Sequence, residues 1–333
     1  DKNLIQLEYK ASGNLKIFDD EVQLSNRIGK FIEGKLICYE KKSSKKVPSK
    51  YKIITTKKTN YYEQKILKIE VDNYNSKDTL IIDPILNWRT FFGGNNDDDA
   101  HAIYSDGTNT YVAGHTLSVN FPNANPGSPA YFQGVFAGGF GDAFLSKFSS
   151  NGNLIWSTYF GGSLNDEALS VMSNGTYIWL AGYTGSVDFP VINPGGTAFF
   201  QSAMAGNNDA FISKFNTNGE LIWSTYCGGT NADYINQISV LNNELFLIGT
   251  TNSNNFPVFN TGTFFQNYSG GNDAFIMKFN ANNDLVWSSY FGGTANDLGN
   301  AIAVDNNFIY LGGHTNSSDF PLMNPNSGNY FQN

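Results

Sequence analysis

Residues 142–184 read DAFLSKFSSNGNLIWSTYFGGSLNDEALSVMSNGTYIWLAGYT, and the punctuation of this stretch decides the fold. DAFLSKF alternates and reads as a strand, and Asn151-Gly152 then marks a turn. NLIWSTYF is rich in β-branched and aromatic residues and reads as a second strand. After the loop GGSLND, ALSVMS makes a third strand, Asn174-Gly175 a second turn, and TYIWLAGYT a fourth strand. An Asn-Gly pair between apolar runs predicts a type I′ hairpin turn, with φ positive at both central residues. Two hairpins give four antiparallel strands, and no stretch carries a sustained apolar period of about 3.6 residues.

The unit recurs. Gly93, Gly161, Gly228 and Gly292 each open a Gly-Gly pair, at spacings of 68, 67 and 64 residues. Phe121-Pro122, Phe189-Pro190, Phe256-Pro257 and Phe320-Pro321 keep the same beat, as do Trp88, Trp156, Trp223 and Trp287. A period shared by unrelated motifs means one supersecondary unit used repeatedly. Four strands per repeat is the arithmetic of a propeller blade, whereas solenoid repeats are shorter, about 20–45 residues. The expected fold is all-β: an incomplete β-propeller of four-stranded antiparallel blades over residues 85–333. Its units start near 93, 161, 228 and 292, the last one truncated. A β-rich part of a sandwich-like domain precedes it over 1–84.

Charge supports that division. Residues 1–87 hold 17 Lys and Arg against 12 Asp and Glu; residues 88–333 hold 4 against 17. Acidic repeats argue against a nucleic-acid partner. Lys41, Lys42, Lys45 and Lys46 read as a solvated tip between strands. No apolar run approaches the roughly 20 residues of a membrane span, so membrane insertion is not expected. The two cysteines, Cys38 and Cys227, fall in different parts of the chain and suggest neither a disulfide framework nor a zinc-ligand spacing. Cys227 stands where sister repeats have Phe160 and Phe291, as a small buried filler.

Strand direction fixes geometry in advance. With strands a to d counted from the inner edge, the tight a–b and c–d turns share one end of a blade. The b–c and d–a connections share the other. The long b–c loops, 117–141, 185–208 and 252–272, therefore form the candidate binding face, because irregular loops on a rigid scaffold are where binding usually resides.

The repeat reads GG-x-x-x-D, an Ile/Val-rich hairpin ending T-x-S before Phe-Pro, then Phe-Gln, then DAF-x-x-KF. Asp98, Asp166, Asp233 and Asp297 follow the glycines, and Asp142, Asp209 and Asp273 open the DAF strand that Lys147, Lys214 and Lys278 close. Thr116 and Ser118, Thr184 and Ser186, Thr251 and Ser253, and Thr315 and Ser317 precede the Phe-Pro pairs; Gln133, Gln201, Gln266 and Gln332 fill the Phe-Gln site. Over residues 88–333 this resembles the seven-bladed β-propeller (SBBP) repeat of secreted bacterial proteins. ILKIEV at 66–71 and LIIDP at 80–84 resemble the tail of the β-rich domain commonly found upstream of such repeats. The resemblance implies a secreted or surface-attached bacterial protein, with no assigned reaction and no cofactor. It also implies that the remainder of the chain is needed to close the propeller.

Each candidate site has a plainer competitor. One Asp per repeat supplies too few oxygens for calcium, so the Asp98, Asp166, Asp233 and Asp297 series is expected to accept loop hydrogen bonds and hold blades together. The cluster Asp97, Asp98 and Asp99 is denser, but it lacks the glycine and terminal Glu of a calcium loop and is not copied in sister repeats. It reads as an acidic turn. His115 and His314 share a repeat position with Tyr183 and Thr250, which argues for a tolerant position, and His101 stands alone in sequence. The periodic Trp156, Trp223 and Trp287 are expected in the core between blades, although aromatics of this kind also form carbohydrate-stacking surfaces. The periodic lysines are expected to pair with carboxylates or backbone carbonyls, or to reach the blade edge. No G-x-S-x-G, HExxH or phosphate-loop motif is present. The expected function is a non-catalytic extracellular scaffold or adhesion module for protein or carbohydrate, with no catalytic residue and no metal. The alternative is part of a secreted glycan-processing enzyme whose catalytic groups lie in further blades.

Overall fold

The computed structural model describes residues 6–323 apart from 12–13, 18–21, 26–29, 34–35, 59–62, 73–74, 76, 78, 85–89 and 262–263. It divides into two compact units, Asp1–Thr90 and Phe91–Asn333. All described regular elements are strands, and no described helix is long and apolar enough to cross a membrane.

The first unit contains β1 (Gln6–Ala11), β2 (Asn14–Ile17), β3 (Val22–Ser25), β4 (Lys30–Glu33), β5 (Leu36–Glu40), β6 (Lys46–Val47), β7 (Ser49–Lys58), β8 (Glu63–Val71) and β9 (Leu80–Pro84). They make three antiparallel sheets ordered β1-β8-β7, β2-β3-β4 and β6-β5-β9. Tyr51, Ile69 and Val71 are buried on β7 and β8, and Cys38 and Val47 on β5 and β6. Lys41, Lys42, Lys45 and Lys46 are all exposed where β5 turns into β6.

The second unit is the repeat array. Its first sheet is β10 (Asp98–Ser105), β11 (Asn109–Thr116), β12 (Asp142–Ser149) and β13 (Leu154–Phe160). The second is β14 (Asp166–Ser173), β15 (Tyr177–Thr184), β16 (Asp209–Asn216) and β17 (Leu221–Cys227). The third is β18 (Asp233–Leu241), β19 (Glu244–Thr251), β20 (Asp273–Phe279) and β21 (Leu285–Phe291). A two-stranded sheet of β22 (Asp297–Val304) and β23 (Ile309–Thr315) follows. Within each sheet the strands pair in chain order and antiparallel, as strands a to d. Residues 142–184 thus supply strands c and d of one sheet and a and b of the next. Among the described residues the four sheets do not close a ring.

Successive sheets pack face to face. Tyr111, Leu145, Trp156 and Phe160 of the first meet Val171, Leu180, Phe211 and Phe215 of the second in one buried cluster. Trp179, Ile212 and Trp223 meet Ile238, Leu247 and Phe279 in the next. The a strands β10, β14, β18 and β22 touch in succession, which places them along one edge of the array. Each a strand carries a register shift, at Ala100/Ala102, Ala168/Ser170, Ile235/Gln237 and Gly299/Ala301. A bulge of this kind bends and twists the strand where neighbouring sheets crowd.

The turns differ from expectation. At Asn151-Gly152 and Asn174-Gly175 only the glycine has positive φ, 80° and 85°. At Asn174-Gly175 the Asn174 side chain explains this: its Oδ1 accepts the amides of Thr176 and Tyr177 at 2.9 and 2.8 Å, closing a longer Asx turn with one left-handed residue. The a–b hairpin with both central residues at positive φ has no glycine there, but Asn242 and Asn243 (52° and 66°).

The tryptophans occupy matching places on strand d with unequal cover. Trp156 and Trp223 are buried, and Trp287 is half-buried. Trp88 lies outside the described residues. Trp223→Ala is expected to destabilise the array by about 3–5 kcal/mol, as for other buried large aromatics. Trp287→Ala should cost clearly less, and denaturant unfolding of the two variants checks the difference.

Candidate functional site

The repeated polar residues converge on one place, the crossing from strand d of one sheet to strand a of the next. In the crossing from the first sheet to the second, the Gly161 N–H donates to Gln133 Oε1 at 3.1 Å and the Gly162 N–H to Asp166 Oδ2 at 2.7 Å. Ser186 Oγ donates to the same carboxylate oxygen at 2.9 Å, and the Thr184 hydroxyl bonds the Asp166 carboxylate as well. Gln133 Nε2 reaches Asp142 Oδ2 at 2.8 Å. The next crossing repeats the pattern with Gly229 on Asp233, Gln201 on Asp209, and Ser253 and Thr251 on Asp233. Each Asp of the first series accepts one backbone amide and the hydroxyl of the T-x-S serine, which the end of strand b turns inward.

The glycines are required by space. A methyl group on Gly161 would come within 2.6 Å of Asp166 Oδ2 and 3.2 Å of Asp142 Cγ; one on Gly162 would meet Ser186 Cβ at 2.7 Å. Gly161 is therefore wedged between two carboxylates from neighbouring sheets. Asp142, Asp166, Asp209, Asp233, Asp273 and Asp297 are all fully buried. Burial pushes Asp142 up to about 7, and the nearby Asp166 carboxylate adds to the shift. Burial likewise raises Asp166, Asp233 and Asp273 to about 6, and Asp209 in the same direction.

The remaining repeated residues also serve the fold. Tyr159 Oη donates to the Ser118 carbonyl at 2.6 Å and accepts the Phe121 amide at 3.0 Å, and Tyr226 and Tyr290 do the same for Ser186 and Phe189, and Ser253 and Phe256. The Phe of each Phe-Pro pair packs on the Phe of its DAF strand, with ring centroids 4.6, 4.6 and 4.1 Å apart. Lys147 Nζ donates to the Thr217 carbonyl in the following sheet at 2.8 Å. Lys214 does so to Ala281 and Asn283, and Lys278 pairs with Glu244 at 2.9 Å.

The b–c loops leave the expected end and then run along the outer edge of strand d. Ala124 and Gln133 bridge to Ser157 and Tyr159, Ile192 and Gln201 to Ser224 and Tyr226, and Phe259 to Ser288. Such cover protects an edge that would otherwise template pairing with another chain. Val119, Val135, Phe140 and Val187 are exposed on these loops, and Leu164 is exposed on a d–a connection.

One polar group does not follow the repeat. His101, on the bulge of β10, lies beside His115 of β11, with Nε2 and Nδ1 3.1 Å apart and the rings stacked at 5.3 Å. Glu167 of the second sheet brings Oε1 to 2.9 Å from His101 Nε2. Sequence spacing hid this meeting, because bulge residues and strand partners are not visible there. The available sign was departure from the repeat, since the positions of His101 read Leu169, Asn236 and Asn300 in sister units. Asp97 and Asp99 are exposed, and Asp98 is partly buried in its own Gly94–Thr116–Ser118 set.

Comparison with known proteins agrees with this architecture. The beta-propeller repeat family, SBBP, matches residues 286–321, from strand d of the third sheet to the Phe-Pro pair of the fourth. A domain of unknown function, DUF7948, matches residues 1–85. The chain carries an SBBP beta-propeller repeat behind an N-terminal DUF7948 domain. The regulatory protein FlaEY of Caulobacter vibrioides is 24% identical over 180 residues, covering 53% of this chain and 18% of that protein.

Asp166→Ala leaves the Gly162 amide and the Ser186 hydroxyl without their acceptor. It is expected to lower stability by about 1.5–3 kcal/mol, read from the denaturant midpoint. The raised carboxyls also set a pH dependence. An unfolded Asp titrates near about 3.9, so between about pH 4 and pH 7 the folded array holds protons that the unfolded chain has released. Stability from these groups is present at low pH and lost as pH rises through 6 to 7. The melting midpoint should be higher at pH 5 than at pH 8, and Asp142→Asn should shrink the difference.

Proposed function

We propose that the repeat array is a non-catalytic scaffold or adhesion module that works outside the cell. It engages a protein partner at the end of the sheets where the b–c and d–a connections emerge. The observation that carries this reading is the set of large apolar side chains left in water there: Val119 (71% exposed), Val135 (75%), Phe140 (82%), Leu164 (53%) and Val187 (74%). Single exposed apolar residues are ordinary, but several on the b–c and d–a connections of a rigid array suit an interaction surface. Four of the five are aliphatic, which favours a protein partner over a glycan, since sugars stack best on flat aromatic faces.

Further support comes from how the repeated polar residues are used. The Asp, Ser, Thr, Gln and Tyr positions are engaged in the blade crossings and strand contacts described above. An extracellular setting is part of the proposal and rests on the likeness to repeats of secreted bacterial proteins. The name of the Caulobacter relative is regulatory rather than enzymatic, which sits with a binding role. Among the described residues β23 pairs only with β22, and its residues are exposed throughout. Strands from the rest of the full protein would cover it in this reading.

The test is capture of envelope proteins by the immobilised chain, run beside a glycan array. Phe140→Ser combined with Leu164→Ser is expected to abolish protein capture while leaving the melting midpoint unchanged, because both side chains are exposed. Capture unaffected by the double substitution, or steady turnover of a polysaccharide by the purified repeats, overturns the proposal.

A further inference from the structure

We propose that His101, His115 and Glu167 form a binding site for a transition-metal ion of the zinc type, clamping the first sheet to the second. Each of the three residues brings one ligand atom to within 4.8 Å of those of the other two, and His101 Nε2 faces both His115 Nδ1 and Glu167 Oε1. Two of the separations are 3.1 and 2.9 Å. Zinc bonds of about 2.0–2.2 Å in a tetrahedron place neighbouring donor atoms about 3.3–3.5 Å apart, so these two separations lie within a few tenths of an ångström of what the ion needs. The fourth position is open to water, because the His101 side chain is 31% exposed.

Hydrogen bonding alone serves this cluster poorly. Glu167 Oε1 only accepts, so it calls for a proton on His101 Nε2. His115 Nδ1 then faces the same nitrogen and needs that same proton. Three lone-pair atoms brought this close together are better matched by a single cation than by one shared hydrogen. The surroundings hold the ligands as metal sites usually do. Tyr183 Oη donates to the other oxygen of Glu167, Oε2, at 2.5 Å, and Tyr183 is steadied by Asn165 at 3.2 Å and by the edge of Tyr234. Asp99 Oδ2 stands 3.9 Å from His115 Nε2, on the far side of that ring. Imidazole and carboxylate donors favour zinc and its neighbours over calcium, which takes oxygen ligands.

The third sheet supplies the comparison. Its bulge residue Asn236 donates through Nδ2 to Thr250 Oγ1 at 3.3 Å and to the Gly299 carbonyl of the next sheet at 2.7 Å. The same position thus ties sheets without any ion. His101→Asn therefore copies a tie the fold already uses while removing a ligand.

The experiment uses the 1–333 chain, freed of any purification tag and stripped with a chelator. Zinc chloride is titrated by calorimetry, and cobalt(II) is followed by its visible absorption. One zinc per chain is expected, with a rise in melting midpoint and the intense cobalt bands of a four-coordinate site. His101→Asn and Glu167→Gln should bind at least about 100-fold more weakly and lose the zinc-dependent rise, with zinc-free melting midpoints close to wild type. His314→Ala, at the His115 position of the fourth sheet, should bind as wild type does. Absence of binding at about 100 μM zinc, or equal affinity in the His101 and Glu167 variants, overturns the site. So does loss of binding in His314→Ala.

Discussion

A buried carboxylate at the sheet crossing is the constraint from which the rest of the repeat follows. Asp166 is fully buried, and what holds it is the Gly162 amide and two hydroxyls. Those donors must arrive together, so the chain needs two glycines before the Asp, a T-x-S pair at the end of strand b, and a glutamine to hold the first glycine's amide. Remove any one, and a polar group is stranded where burial makes that costly. Motifs that are far apart in the chain share one period because they meet at one point in space.

The same crossing sets the electrostatics. Asp142 and Asp166 belong to different sheets yet flank the same glycine, so the packing that joins the sheets also brings two acids together. Burial dominates the upward shift of both, and their mutual repulsion adds to it for Asp142. The array therefore carries acids whose charge is unwelcome at neutral pH. Burial disfavours the charge of Lys147 and Lys214 too, pushing both below the usual lysine range, and their ammonium groups donate to carbonyls of the following c–d turn.

Much of the fold was legible in the chain itself. Alternation in DAFLSKF, the Gly-Gly beat and the paired turns gave the strand number, strand order and ends of the sheets, and the structure has them in that order. The turn type was not legible: the Asn174 side chain caps its own loop, an effect that competes with the type I′ geometry that an Asn-Gly pair suggests. The path of the b–c loops was also hidden. Their polar, glycine-rich composition says that they are irregular, but not that they lie along strand d and bridge to it.

The His101 group shows why site residues are harder to read than fold residues. A periodic residue announces its role through repetition, because each copy solves the same packing problem. A residue serving one place appears once. His101 and Glu167 are separated by 66 positions and meet only because a bulge in β10 turns one side chain toward the next sheet. In a repeat protein the physical scaffold fills the regular positions, and a particular chemistry has to be built from exceptions to them. Departures from the period, mapped onto the strand register, are therefore the places where such an array differs from a mere stack of identical sheets.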